Sequence, residues 1–201
     1  MIFLFLIVVS ILFYAFIHFY FSRVEQPVYT IIKNDSPYQI RKYPQLLVAR
    51  TIAQGSHKEA LNSGFNVLVD YIKGNNTSNQ KIPMTAPVLV TQQDSAEKNW
   101  SIEFIMPASF TLETIAQPNN QLVSLHMIPE STYATIQFSG TWKKDNLKKH
   151  YQKLEQYVQQ AKNDRATEQL RIDTNPVYAF YNPPIILPFL RRNEVWLKIE
   201  N

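Results

Sequence analysis

Lys81-Ile82-Pro83-Met84-Thr85-Ala86-Pro87-Val88-Leu89-Val90 carries two prolines, Pro83 and Pro87, just ahead of a β-rich run. Proline donates no hydrogen bond to a sheet ladder, so a strand containing both would lie at an edge or begin after them. The stretch therefore reads as a shaped entry into a strand that starts near Val88.

Working outward, the chain is written twice. A shift of 85 places Pro44 on Pro129, Ala49 on Ala134 and Gly55 on Gly140 without a gap, and a shift of 89 sets Pro87-Val88-Leu89-Val90 against Pro176-Val177-Tyr178-Ala179. In both copies a strand-like run (46–52, 131–138) leads into a helical stretch. The first helix, 57–73, has Leu61, Phe65, Leu68 and Ile72 on one stripe, with Gly64 allowing close approach to a sheet, and Gly74-Asn75-Asn76 ends it. The second, 143–163, repeats the pattern with Leu147, Tyr151, Leu154 and Val158. Between the copies, 99–106 alternates as a strand with Ile102, Phe104 and Met106 on one face, and 107–120 is a polar loop. Each copy thus reads strand, strand, helix, strand, strand. The simplest packing is an α+β fold in which a twisted antiparallel sheet curls into an open barrel with two helices against it.

Residues 1–22 are a different material. They hold no charged side chain and six of the twelve phenylalanines. As a helix they would span roughly 32 Å, matching a hydrocarbon core of about 30 Å. No basic leader precedes the run, and 17–22 is bulky where a signal peptidase needs small residues. The segment is therefore read as an uncleaved single-pass anchor, with 23–201 as the folded domain. Arg23, Lys33, Arg41 and Lys42 all follow the span, which favours a cytoplasmic domain.

Composition narrows the chemistry. Cysteine is absent, which removes disulfides and thiolate chemistry. The net charge of +4, from 20 basic and 16 acidic residues, is spread along the chain and asks for no nucleic acid. The densest basic run, 143–150, has no interleaved aromatics and reads as a solvated helix face. There is no Gly-x-Ser-x-Gly, no phosphate-cradling glycine loop and no His-Glu-x-x-His, so no enzyme class is indicated. His57 and His150 read as helix residues. His126 alternates with Leu125 and Met127, so it should face away from both. The run 183–190 holds three prolines among apolar residues and reads as a loop covering the barrel, or else as a docking segment.

Four blocks in this order resemble the SOUL/heme-binding protein family: Tyr38-Gln39-Ile40-Arg41-Lys42-Tyr43-Pro44, the 81–88 stretch, Phe138-Ser139-Gly140, and Arg191-Arg192-Asn193-Glu194-Val195-Trp196-Leu197. The resemblance implies a pseudo-symmetric, distorted antiparallel eight-stranded barrel flanked by two helices, with internal repeats at about 28–107 and 121–201. It also implies non-catalytic binding of heme or another tetrapyrrole. Some members carry a histidine just before the tyrosine of the first block as an axial ligand. Here that position is Lys42, and a protonated lysine cannot ligate iron. Other members hold tetrapyrroles by apolar contact along the first helix. Carried over by position, Phe65, Leu68, Val69 and Met84 form that wall, with Arg41 or Lys42 meeting a propionate. The repeat sets His126 opposite Arg41, which gives it a route to iron if the second copy's strand faces the pocket. The alternative reading keeps the fold and drops heme: an effector-binding or protein-interaction module for a bulky amphipathic ligand.

Overall fold

The structure is a computed structural model that describes residues 23–93, 98–162 and 171–200. The strands are β1 (Thr30–Asp35), β2 (Tyr38–Tyr43), β3 (Leu46–Gln54), β4 (Val88–Gln92), β5 (Asn99–Ile105), β6 (Ser124–Ile128), β7 (Ser131–Phe138), β8 (Arg171–Ile172), β9 (Val177–Phe180) and β10 (Asn193–Glu200). Helix α1 (His57–Ile72) follows β3, and α2 (Lys144–Lys162) follows β7. As the two prolines dictate, β4 begins at Val88.

All strands join one antiparallel sheet in the order β1-β2-β7-β10-β9-β4-β5-β3-β6, with β8 beside the end of β10. Exchanging β2, β3, β4 and β5 for β6, β7, β9 and β10 leaves the order from β2 to β6 unchanged when read from the other end. The register obeys the same exchange: Arg41 pairs with Tyr133 and His126 with Val48, a shift of 85 on each side. At the centre Val88 pairs with Phe180 and Thr91 with Val177, a shift of 89. Gly55 and Gly140, the aligned pair ahead of the helices, both adopt left-handed φ, 115° and 114°.

The expected eight-stranded barrel is corrected on two points. Among the described residues there are ten strands, because β1 adds an outer hairpin to β2 and β8 shares an edge of β10 with β9. The sheet also does not close: β1 and β6, at its ends, are not paired with each other. It curls all the same. Among the described residues no helix packs on its inner face, yet Tyr43, Val48, Leu89 and Trp196 there are buried, so that face closes on itself. The anchor expected at 1–22 lies outside the described residues, and among those no helix is long and apolar enough to cross a membrane.

Each helix covers one half of the outer face. α1 packs across β3 and β5 through Ala60, Leu61, Leu68 and Ile72, and α2 packs across β7 and β10 through Leu147, Leu154 and Val158. The α1 N-terminus is closed by a reciprocal cap: Ser56 Oγ accepts from the Glu59 N–H, and the Glu59 carboxylate accepts from the Ser56 N–H. Gly64 lets the α1 backbone settle on the sheet, since a Cβ there would lie 2.7 Å from Ile102 Cδ1 and 2.9 Å from Cγ1. Gly64→Ala is therefore expected to cost about 1–2 kcal/mol, overpacking outweighing the gain of roughly 1 kcal/mol in helix propensity. Its urea midpoint should fall below the parent's; a rise would mean that Ile102 yields without strain.

Candidate functional site

Because α1 covers β3 and β5 while α2 covers β7 and β10, the central seam where β4 meets β9 is left without a helix. A cleft of about 900 Å³ opens there. Leu61 and Phe65 of α1 form one wall, Pro83 and Met84 a second, Trp142 ahead of α2 a third, and Val88 and Phe180 of the seam contribute to the lining. Arg23–Glu25 and Asn182–Pro184 border it.

The proline-framed stretch holds its wall in place by ties on both sides. The Ile82 N–H donates to Ile72 O, the Ala86 N–H donates to Glu25 O, and the Thr85 hydroxyl donates to Ile105 O. Pro83 and Met84, between these ties, line the cleft together with Thr85 and Ala86. Trp142 is fixed as firmly: its indole N–H donates to Asn193 Oδ1 at 2.8 Å, and Arg191 lies over its ring at 4.9 Å. Phe65 leans edge-on against Phe104 with centroids 5.3 Å apart. Most polar groups at the border are already engaged. Tyr181 donates to Glu194, Asn182 Oδ1 accepts from the Arg192 N–H, and the Glu25 carboxylate accepts from the Ala108 N–H. What the cleft offers a ligand is mainly apolar and aromatic surface.

Of the residues singled out from sequence, Phe65 and Met84 come together in this cleft. Leu68 is fully buried beneath α1, and Val69 packs beside the same core. Lys42 points to solvent and pairs with Glu130 at 2.8 Å. His126 lies on β6, beyond β5 and β3 from the seam. Leu125 and Met127 pack on the helix side, so His126 faces the other way, with Nε2 3.9 Å from Glu103. Glu103 instead accepts from Arg50 at 2.6 Å and Ser101 at 3.2 Å.

Arg41 belongs to a network that sequence reading did not find. On the inner face, the fully buried Glu194 accepts from Arg41 (2.7 and 3.2 Å), Arg192 (3.0 and 2.8 Å), Tyr181 (3.1 Å) and the Trp196 indole (2.7 Å). Burial pushes this carboxyl's pKa up, but the Arg41 and Arg192 guanidinium charges outweigh it and hold the value below the usual range. Burial, reinforced by the Glu194 charge, drives the Tyr181 phenol well above its ordinary value. Signals for this cluster were present as Arg41, Arg192, Glu194 and Trp196, but only the pairing of β2, β7 and β10 brings them to one point.

His57, at the start of α1, is ringed by Trp100, Tyr178 and Phe180, and its buried Nε2 has no hydrogen-bond partner. Burial lowers its pKa, so the fold holds it neutral. The unfolded chain takes up this proton near pH 6.5 while the folded chain takes it up only at lower pH. Stability is therefore complete above about pH 7 and should fall as pH drops through about 6, a loss that His57→Phe should reduce in denaturant titrations. An undiminished loss would assign the effect to His126 and His150, whose values burial also lowers.

None of the curated proteins matches the chain. Among solved structures, the C-terminal domain of EcmrR shares the fold at 15% identity and a TM-score of 0.59, covering 87% of this chain and 99% of that one. EcmrR in a complex with DNA gives 16% identity and 0.58, covering 83% of this chain and 59% of that one. A hydrolase from Listeria innocua gives 12% and 0.54, covering 84% and 94%. At such identities the likeness is one of fold alone. The family comparison reaches further, matching residues 24–198, a span that takes in both halves of the sheet, the cleft and the Glu194 network: the chain belongs to the SOUL heme-binding protein family.

Proposed function

We propose that this protein binds heme or another tetrapyrrole in the cleft over the β4·β9 seam, without catalysis, while residues 1–22 anchor it in a membrane with the domain on the cytoplasmic side. The observation that carries this reading is the cleft. Its volume of about 900 Å³ falls within the range of small-molecule sites, and its walls are apolar and aromatic, as a macrocycle requires. Membership of the heme-binding family supports the same ligand class. Heme bound there would supply an iron centre for which the lining offers the Met84 thioether, while Phe65, Trp142 and Phe180 hold the ring by contact. Arg23 at the border places positive charge where an anionic edge would lie. The test is a titration of residues 23–201 with hemin. A saturable Soret shift is expected; its absence at micromolar hemin removes heme as the ligand.

One observation favours the broader reading, an effector-type module for a bulky amphipathic ligand: no histidine lines the cleft among the described residues. Binding then depends on shape and apolar area more than on iron. Metal-free protoporphyrin should bind within a few-fold of hemin on this reading, and far more weakly if Met84 ligation dominates.

A further inference from the structure

The border of the cleft combines two features that the ligand alone does not explain. One is the N-terminal segment. The first described residues after the charge-free 1–22 run are Arg23, Val24 and Glu25, and they line the cleft. They are tied down there: Glu25 O accepts from the Ala86 N–H, the Glu25 carboxylate accepts from the Ala108 N–H at 2.8 Å, and Gln26 accepts from Arg192 at 3.1 Å. Wherever the apolar run inserts, the cleft follows within a few residues of chain, each worth at most about 3.6 Å.

The other feature is the loop that follows the second border. Pro183 and Pro184 border the cleft, and beyond them Ile185, Leu187, Phe189 and Leu190 are 63%, 46%, 67% and 42% exposed. The loop is built to hold this display. Ile186 is fully buried as its anchor, Arg191 donates to the carbonyls of Ile186 and Pro184 at 2.7 Å each, and the Gly140 N–H donates to Pro188 O. Four large apolar side chains held outward by a fixed backbone are costly in water and suited to a lipid interface.

We propose that residues 185–190 dip into the surface of the bilayer that residues 1–22 enter, so that the cleft opens toward lipid and takes its ligand from the membrane phase. This rests on the reading of 1–22 as an anchor and of the cleft as a ligand site. The two borders act together: one brings the cleft to the bilayer and the other sets its orientation there. A hydrophobic macrocycle, which partitions into lipid, then reaches Phe65 and Trp142 without crossing bulk water.

The chain has no cysteine, so an introduced one is unique. The full chain carrying Phe189→Cys, labelled with an environment-sensitive fluorophore and reconstituted in phosphatidylcholine vesicles, should show blue-shifted emission that is quenched by lipids spin-labelled near the headgroup. Leu122→Cys, equally exposed in the loop before β6, should show neither. Equal, water-like signals at both positions overturn the proposal, whatever the ligand. A second arm follows hemin moving from vesicles into the full chain. Leu187→Asp with Phe189→Asp should slow transfer about tenfold while leaving the final extent of binding unchanged. Unchanged transfer by this variant also overturns the proposal. If hemin binds to no form of the protein, the heme reading fails by itself, and the labelling arm still decides how the cleft faces the bilayer.

Discussion

Glu194→Gln is expected to cost about 3–5 kcal/mol of folding stability, a large share of the 5–15 kcal/mol that a domain of this size has in total. The carboxylate is fully buried and gathers six hydrogen bonds from Arg41, Arg192, Tyr181 and Trp196. An amide keeps the shape but removes the charge, and it turns an amino group toward two guanidinium groups. Arg41, 3% exposed, then loses the carboxylate that it is paired with. Trp196→Phe, which removes one donor and keeps the ring packing against Tyr43, should cost only about 1–2 kcal/mol. The pH dependence has a definite sign. The folded pKa of Glu194 lies below the ordinary glutamate value near 4.5, so its contribution is complete above that pH and is lost as pH falls through the lower folded value. Denaturant titrations of the parent and both variants measure all of this. A loss under about 1 kcal/mol for Glu194→Gln would mean that Arg41 and Arg192 reach water through local opening.

The same network explains why some features were legible in sequence and others were not. Proline chemistry, the 85-residue shift and the helical stripes act locally or repeat, so the strand start at Val88, the two helices and the paired glycines at 55 and 140 could be read from the chain. Gly64 was legible for the same reason, because a missing side chain in an apolar stripe points to close packing. Ser56 and Glu59 also have the three-residue spacing of a capping box. The outer strands β1 and β8 carry little pattern to read: β1 is exposed at every position, and β8 is two residues long. The strand count therefore came out at eight where the sheet has ten.

The site was harder to read, for a reason that lies in the topology. Sequence motifs name residues and not the face that they share. The blocks that resemble the family split across the sheet: Asn193 and Arg191 brace Trp142 at the cleft, whereas Arg41, Glu194 and Trp196 build the inner face. Period-two alternation separates neighbours such as Asn193 and Glu194 onto opposite faces. Nothing in the sequence marks Trp142 or the 23–25 segment as neighbours of Phe65 and Met84. They meet only because β4 and β9, from different halves, are adjacent at the centre. Phe65 sat on a stripe that reads as core; it is in fact 36% exposed and, with Leu61 of the same stripe, lines the cleft.

That exposure makes Phe65 the residue on which the ligand reading can be tested most sharply. Phe65→Asp is expected to weaken hemin binding by about 100-fold, equivalent to about 2.7 kcal/mol, because the ligand loses an aromatic wall worth some 1.5–3 kcal/mol. The fold should tolerate the change, since Phe65 is 36% exposed and only leans edge-on against Phe104, which stays packed in the core. A charge at Leu68, fully buried one turn on, would unfold the domain and say nothing about the cleft. His126→Ala provides the opposing control. His126 lies on β6 beside Glu103 and faces away from the helices, so both the Soret band and the affinity should match the parent's. Met84→Leu divides the remaining possibilities, keeping apolar area while removing the thioether: an unchanged spectrum assigns binding to contact, and a shifted one assigns iron ligation to Met84. If His126→Ala shifts the bands while Phe65→Asp leaves affinity intact, the ligand occupies the inner face and the cleft over the β4·β9 seam is not its site.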